Sequence, residues 1–457
     1  MITSLVKKQK DFFSSGSTKD LKFRKTYLKK LQKALTYYED QICDTLYEDF
    51  KKPKFESLAS ETQFVLFELK EALKNIDSWS RPKRVSGTWI NFPSSDWIYS
   101  EPYGNVLIMA PWNYPFLLSL SPLIGALAAG NTAILKPSEF TPATSGIITK
   151  IIAEIFPEEY VTVIEGGIKE SQELLSQKFD YIFFTGSTKV GKIVYQKAAE
   201  NLTPVTLELG GKSPCIIDNT VSIPVTAKRI AWGKFLNCGQ TCIAPDYLLV
   251  HKDVKTKLVE ALIKSIKELY GNSPQESPDL ARIAHNSHYN TLKEMLIGEQ
   301  LLFGGDFNDK TLFISPALVD EPDLKSKIME DEIFGPLLPI ISYDSEEDIK
   351  KHLSHYGKPL ALYIFSKNKK FRERLLNGYS FGGGVINDTL LHITNSKLPF
   401  GGVGASGVGH YQGKYSFESF SHQKSIIKKR FWPEIPFRYA PYKVTEKIAK
   451  KLKYLFN

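Results

Sequence analysis

Cys242 lies in the segment NCGQTCIAP, between Gly239 and Pro245, and is the side chain best suited to covalent chemistry. A free thiol with a pKa of about 8.5 is a few per cent thiolate at neutral pH, and that fraction is strongly nucleophilic. Taken alone, a cysteine is more often a small buried hydrophobe; Gly, Gln, Thr and Pro make an unusual setting for that role. Cys238 stands four residues earlier, which raises C-x-x-x-C metal binding. No second cysteine pair and no HExxH-type pair completes such a site, so no metal is expected. Glu208 interrupts the apolar run VTLELGG. A carboxylate there is costly unless paired or used, and burial raises its pKa toward the range of a general base. The plain alternative is a structural ion pair with Lys212. Asn113 sits between Trp112 and Pro115. Its amide is a neutral donor suited to a developing oxyanion; the alternative is an Asx-turn or a helix cap.

These residues need elements to position them. NVLIMA (105–110), TAILK (132–136), VTVIEG (161–166), YIFFTG (181–186) and VTLELGG (205–211) read as buried strands. Helical stretches separate them within 116–129, 142–155, 170–176 and 189–199. Apolar strands alternating with helices predict a parallel, doubly wound sheet, which binds ligands at the carboxyl ends of its strands. The polar punctuation falls at those ends: Pro111-Trp112-Asn113, Lys136-Pro137-Ser138-Glu139, Thr185-Gly186-Ser187-Thr188 and Glu208-Leu209-Gly210-Gly211. Gly186 to Gly191 lies between a strand and a helix, where backbone N–H groups and the helix dipole receive a pyrophosphate. Glu139 is placed to accept hydrogen bonds from a ribose, with Lys136 beside it. The first 75 residues read as amphipathic helices, with Phe12, Leu21, Leu28, Leu31 and Leu35 at helical spacing. TWINFPSSDWIYSEP (88–102) reads as two short strands around a Pro-Ser-Ser turn. A second α/β region spans about 212–395 and ends in the Gly-rich LPFGGVGASGVG (398–409).

Together these segments resemble the aldehyde dehydrogenase superfamily. The likeness runs through PWNYP, KPSE, FTGSTKVG, LELGGK, NCGQTC, EIFGP and PFGGVGASG, in order, over nearly the whole chain. A short N-terminus, GQTCIAPDY and GKYSFESFSHQKS are similar to the class 3 or fatty aldehyde dehydrogenase branch. The resemblance implies an α/β, aldehyde dehydrogenase-like fold. Residues 1–81 and 101–207 would form a Rossmann-type NAD(P)-binding domain and 208–395 an α/β catalytic domain. A β-arm for homodimerisation would come from 82–100 and 396–430, with a basic tail at 431–457. It implies oxidation of a medium- to long-chain aliphatic aldehyde to the acid, with NAD or NADP reduced. Cys242 would pass through a thiohemiacetal and a thioester. Glu208 would activate water, and Asn113 with the Cys242 backbone N–H would form the oxyanion hole. Lys136 and Glu139 would hold the adenosine ribose, Gly186, Ser187 and Gly191 the pyrophosphate, and Glu332 and Phe334 the nicotinamide ribose and ring. Trp112 joins the cofactor set, and Tyr114 and Tyr411 the substrate set. Gln412 stands where the branch often has His. The competing readings are a CoA-acylating aldehyde dehydrogenase, a non-redox cysteine thioesterase or esterase, and a crystallin-like structural protein.

The totals agree with a multi-domain globular protein. The 457 residues are 42% hydrophobic and 24% charged, with only four cysteines. MITSLVKKQKDFFSSG lacks an apolar core of signal-peptide length, so a reducing cytoplasm is expected. FLLSLSPLIGALAAG (116–130) is too short and interrupted for a membrane span and is expected as a buried helix. The net charge of +9 is concentrated in Lys424–Lys453, which carries +8 of it. A near-neutral body argues against nucleic-acid binding. VTEKIAKKLKYLF places Val444, Ile448, Leu452 and Leu455 on one helical face ringed by lysines. That pattern fits weak contact with an anionic membrane surface, or docking over a partner subunit or the substrate entrance, which is the expectation. Membrane-bound members of the branch carry a C-terminal anchor; KKLKYLFN ends without one.

Overall fold

The computed structural model describes residues 2–88, 91–434, 439–441 and 446. The helical face of Val444, Ile448, Leu452 and Leu455 lies outside the described residues. By internal contact the chain divides into a larger unit, 1–79 with 102–421, and a smaller one, 80–101 with 422–457.

The N-terminal segment folds as its periodicity predicts. Leu28, Leu31 and Leu35 are buried along the Leu21–Tyr37 helix, which Asp20 caps by accepting the Lys22 N–H. Ile42, Leu46 and Phe50 continue the buried face on Glu39–Phe50.

Among the described residues, the first sheet of the larger unit has six strands. Across the sheet they run Val161–Val163, Thr132–Lys136, Asn105–Met109, Tyr181–Thr185, Val205–Glu208 and Gly407–Val408. The first five pair in parallel. The chain starts in the middle at Asn105–Met109, winds outward twice, then returns to Tyr181–Thr185 on the other side. Strand order reverses between these two strands, and a crevice opens at such a point. Their carboxyl ends lead into Pro111-Trp112-Asn113 and Gly186-Ser187, so the topology brings those two clusters side by side. The sixth strand comes from the Gly-rich segment and pairs antiparallel with Gly407 opposite Glu208.

The second sheet has seven strands among the described residues, in the order Leu301–Phe303, Ala317–Asp320, Leu337–Tyr343, Tyr247–His251, Pro214–Ile217, Ala361–Phe365 and Gly383–Ile386. Only the Leu301–Phe303 edge is antiparallel. Cys242 lies in the turn leading into the Tyr247–His251 strand.

The Leu117–Ala129 helix is buried along its whole length, as expected for residues 116–130. Among the described residues no helix is long and apolar enough to cross a membrane. Its start is fixed by Glu61. Glu61 Oε1 pairs with Lys52 Nζ at 2.6 Å, both side chains fully buried. Glu61 Oε2 accepts the N–H groups of Phe116 and Leu117 at 2.9 and 3.1 Å. Lys52 Nζ also lies 3.9 Å from the centre of the Tyr114 ring. Removing the carboxylate would strand a buried ammonium and two helix-terminal donors. Glu61→Ala is therefore expected to cost about 3–5 kcal/mol of folding stability, read from the urea midpoint.

Two expectations change. Residues 89 and 90 of the first expected strand lie outside the described residues; the second is Ser94–Pro102, whose antiparallel partner is Lys83–Val85, upstream. Residues 396–421, expected in the arm, group with the larger unit. The smaller unit holds a three-stranded sheet in which Ser94–Pro102 lies between Lys83–Val85 and Ser421–Lys429. In it Lys428 Nζ lies over the Trp97 ring at 5.2 Å, and Lys424 pairs with Glu101 at 3.0 Å.

Candidate active site

A cleft of about 880 Å3 opens at the carboxyl ends of the first sheet, and Asn113, Glu208 and Cys242 all line it. Trp112, Tyr114, Gly186, Ser187, Glu332, Phe334 and Tyr411 line it as well.

Cys242 is the half-buried member of the four free cysteines; Cys43, Cys215 and Cys238 are buried and line no part of the cleft. A polar loop builds its position. Asn237 and Cys238 adopt left-handed φ values of 53° and 55°. Asn237 Nδ2 donates to the carbonyls of Asn113 at 2.8 Å and Gln240 at 3.2 Å. Gln240 Nε2 donates to the Asn237 and Arg282 carbonyls, and its Oε1 accepts the Ala284 N–H, each at 3.0 Å. Asn113 Nδ2 in turn donates to the Gln240 carbonyl at 3.0 Å. One amide hydrogen of Asn113 is thus spent on orientation, which leaves the other for a ligand oxygen. Burial raises the Cys242 pKa, with the Glu332 and Glu208 carboxylates adding to the rise. The backbone N–H groups of Cys242 and Ile243 oppose it without overcoming it. The resting sulfur is therefore a thiol, with less thiolate than a free cysteine holds.

Glu208 ends its strand 3% exposed, and neither carboxyl oxygen has a hydrogen-bond partner among the described residues. Burial alone drives its pKa well above the usual carboxylate range. The ion pair with Lys212 does not form: Lys212 Nζ donates to Asp246 at 2.7 Å and to the carbonyls of Ile328 and Asp331 at 2.8 Å. A buried carboxyl with no structural partner is costly and is retained where it works.

The remaining residues form the dinucleotide side. Ser187 caps the twelve-residue Thr188–Ala199 helix by accepting the Val190 N–H. Gly186 to Lys189 line the cleft at the positive end of that helix. Thr185 Oγ1 is buried beside them without a partner among the described residues. Lys136 and Glu139 pair at 3.1 Å at the end of their strand, and Lys136 Nζ also donates to the Pro137 carbonyl. Neither lines the cleft, nor does Gly191, where an added Cβ would lie 2.5 Å from Leu209. The Glu332 carboxylate packs so close that a Cβ at Gly210 would lie 1.8 Å from its Oε2. Phe334 has a φ of 54°, its carbonyl is 2.8 Å from His288 Nε2, and its ring lies 5.3 Å from that of Trp112. A helix terminus, an orphaned threonine hydroxyl, a carboxylate and aromatic walls on one crevice fit a pyridine dinucleotide.

Residues 2–426 match the model of the aldehyde dehydrogenase family. The chain belongs to that family. It is 51% identical over 443 residues to the 4,4'-diaponeurosporen-aldehyde dehydrogenase of Staphylococcus aureus, covering 96% of each chain. It is 41% identical over 417 residues to the aldehyde dehydrogenase family 3 member A2 of Mus musculus, covering 91% of this chain and 86% of that one. The solved structure of S. aureus AldH in a substrate-bound state superposes with a TM-score of 0.97 at 49% identity, covering 99% of both chains. The enzyme is an NAD(P)-dependent oxidoreductase that oxidises aldehydes.

Within the dehydrogenase's cleft, Tyr114 is tied into the protein frame. Its hydroxyl is 2.7 Å from Thr241 Oγ1, next to Cys242. Gln412, with a φ of 91°, turns away from the cleft and donates to the Ile393 carbonyl. Glu56, Asn237, Gln240 and His288 were not legible as site residues. Nothing in KFESLAS separates a carboxylate facing a cleft from one on a solvated helix face.

Proposed function

We propose that the enzyme oxidises aliphatic aldehydes of medium to long chain through a covalent thioester on Cys242. What supports this reading above all is a thiol, an orphaned buried carboxyl and a half-free amide on one cleft. Cys242 gives its proton to solvent water and attacks the aldehyde carbon, giving a thiohemiacetal whose oxygen carries the charge. The free N–H of Asn113 and the Cys242 backbone N–H stabilise that oxygen, an effect worth about 3–4 kcal/mol per donor in comparable sites. NAD or NADP, when bound beside the sulfur, would supply the hydride acceptor that the passage from thiohemiacetal to thioester requires. Glu208 then takes a proton from water, the resulting hydroxide attacks the thioester, and the acid leaves as the thiol is restored. Lys136 and Glu139 would hold the adenosine ribose, Gly186, Ser187 and Gly191 the pyrophosphate, Glu332 and Phe334 the nicotinamide half beside Trp112. Tyr114 and Tyr411 would wall the substrate.

The first sheet and its helices would form the NAD(P)-binding domain (1–81 and 101–207), and the second sheet the catalytic domain (208–395). The enzyme would act as a cytoplasmic homodimer joined through an arm built on 82–100 and the strand Ser421–Lys429. Four free cysteines fit a reducing compartment, and an edge strand fits sheet extension. The basic segment 431–457 would dock over the partner or substrate entrance. Straight-chain and aromatic aldehydes assayed with NAD and NADP test the activity. Reduced cofactor should form fastest with the longer straight chains, and its absence with every aldehyde would reject the reading.

A further inference from the structure

One wall of the cleft is apolar, lined by Phe55, Phe64, Leu118, Trp232, Leu236 and Leu269. A carboxylate, Glu56, stands among these apolar side chains. Glu56, on the short Lys54–Ser57 segment, lines the same cleft half-buried. Its Oε2 accepts the backbone N–H of Asn237 at 2.9 Å, which anchors the loop leading to Cys242. Its Oε1 accepts no hydrogen bond among the described residues, and the side chain belongs to the cleft lining.

The surrounding charges do not cancel this oxygen. Lys52 is the nearby cation, but its ammonium is already spent on Glu61 at 2.6 Å. Asp279 lines the cleft and adds a second negative charge. Tyr114 and Tyr270 are kept neutral by burial, as is the Cys238 thiol. A negative charge in a partly desolvated channel acts on another over several ångströms far more strongly than in open water.

We propose that Glu56 is a specificity-determining residue whose carboxylate turns away aldehydes carrying an anionic group at the far end of the chain. The proposal rests on the reading that Cys242 attacks aldehydes in this cleft. It sorts substrates by charge, beyond the sorting by length that an apolar wall provides. Burial pushes the Glu56 carboxyl up to about 7, against the pull of Lys52 and the Asn237 N–H and with a push from Asp279. Discrimination should therefore be strong above neutral pH and relax below it.

The test compares hexanal with 6-oxohexanoate, which differ mainly in the terminal charge. The ratio of their kcat/KM values cancels the titration of Cys242 and Glu208, which both substrates share. In the wild type, the ratio of 6-oxohexanoate to hexanal should rise about tenfold as pH falls from about 8.5 to about 6, where the substrate's own carboxylate stays ionised. Glu56→Gln keeps an oxygen for the Asn237 N–H and removes the charge. It should raise the ratio at the higher pH and flatten its pH dependence. A wild-type ratio independent of pH, or a folded variant with an unchanged ratio, overturns the proposal. Should the variant fail to fold, the wild-type profile alone decides. No hexanal oxidation by the wild type would overturn the parent reading instead.

Discussion

Replacing Cys242 by alanine is expected to lower aldehyde oxidation by about ten-thousand-fold or more, with cofactor binding intact. The size of the effect follows from the lack of a substitute. Of the four cysteines, only Cys242 lines the cleft, and Cys238, the nearest in sequence, is 1% exposed. On the proposed covalent route, loss of the sulfur leaves no thiohemiacetal to oxidise and no thioester to hydrolyse. The loop should keep its shape, because Asn113, Asn237 and Gln240 hold it through one another and not through the thiol. Titration with reduced cofactor, followed by fluorescence, should give a dissociation constant within about threefold of wild type. A matching experiment uses the wild type alone. Because burial and two carboxylates raise the Cys242 pKa, alkylation by iodoacetamide should be slow at neutral pH and accelerate as pH rises. Turnover by Cys242→Ala near the wild-type rate would exclude the covalent route.

The same sequence displayed some of this machinery openly and hid the rest for physical reasons. Asn105–Met109, Thr132–Lys136 and Tyr181–Thr185 were legible because strands of a parallel sheet are covered on both faces and read as unbroken apolar runs. Glu208 was legible for the converse reason, a carboxylate where such a run leaves no room for one. Gly407–Val408 was not, since two residues carry no periodicity and the partner strand lies some two hundred positions earlier. Lys83–Val85 was missed because two of its three residues are cationic and its neighbour in the sheet alone makes it a strand. Glu56 and Glu61 sit among ordinary polar positions of an amphipathic stretch. Their partners, Asn237 and the start of the Leu117–Ala129 helix, come from 181 and 55 residues away. Local pattern reports burial and period; it does not report which distant donor a carboxylate will meet.

Glu208→Gln should release about one reduced cofactor per active site in a rapid burst and then stall, with steady turnover down by about 10² to 10⁴. The two halves of the reaction make different demands on this residue. Forming the thioester needs the sulfur, an oxyanion site and a hydride acceptor, none of which Glu208 supplies. Hydrolysing it needs a base beside the thioester, and Glu208 is a buried cleft carboxyl with no hydrogen-bond donor among the described residues. Glutamine fills the same space without that basicity. The pH dependence separates this role from a loss of fold. Burial raises the Glu208 pKa well above the ordinary 4.5, so the wild-type steady rate should climb with pH as the carboxyl ionises, and the variant's should not. Stability should move the opposite way. The native state keeps this proton at pH values where the unfolded chain has lost it, so wild-type stability falls as pH rises from 4.5 through the folded pKa. The glutamine variant escapes that decline and should melt at a higher temperature than wild type at alkaline pH. Stopped-flow detection of the burst beside thermal melts across the pH range reads both effects. Continuous multiple turnover by Glu208→Gln at the wild-type rate would remove this carboxyl from deacylation.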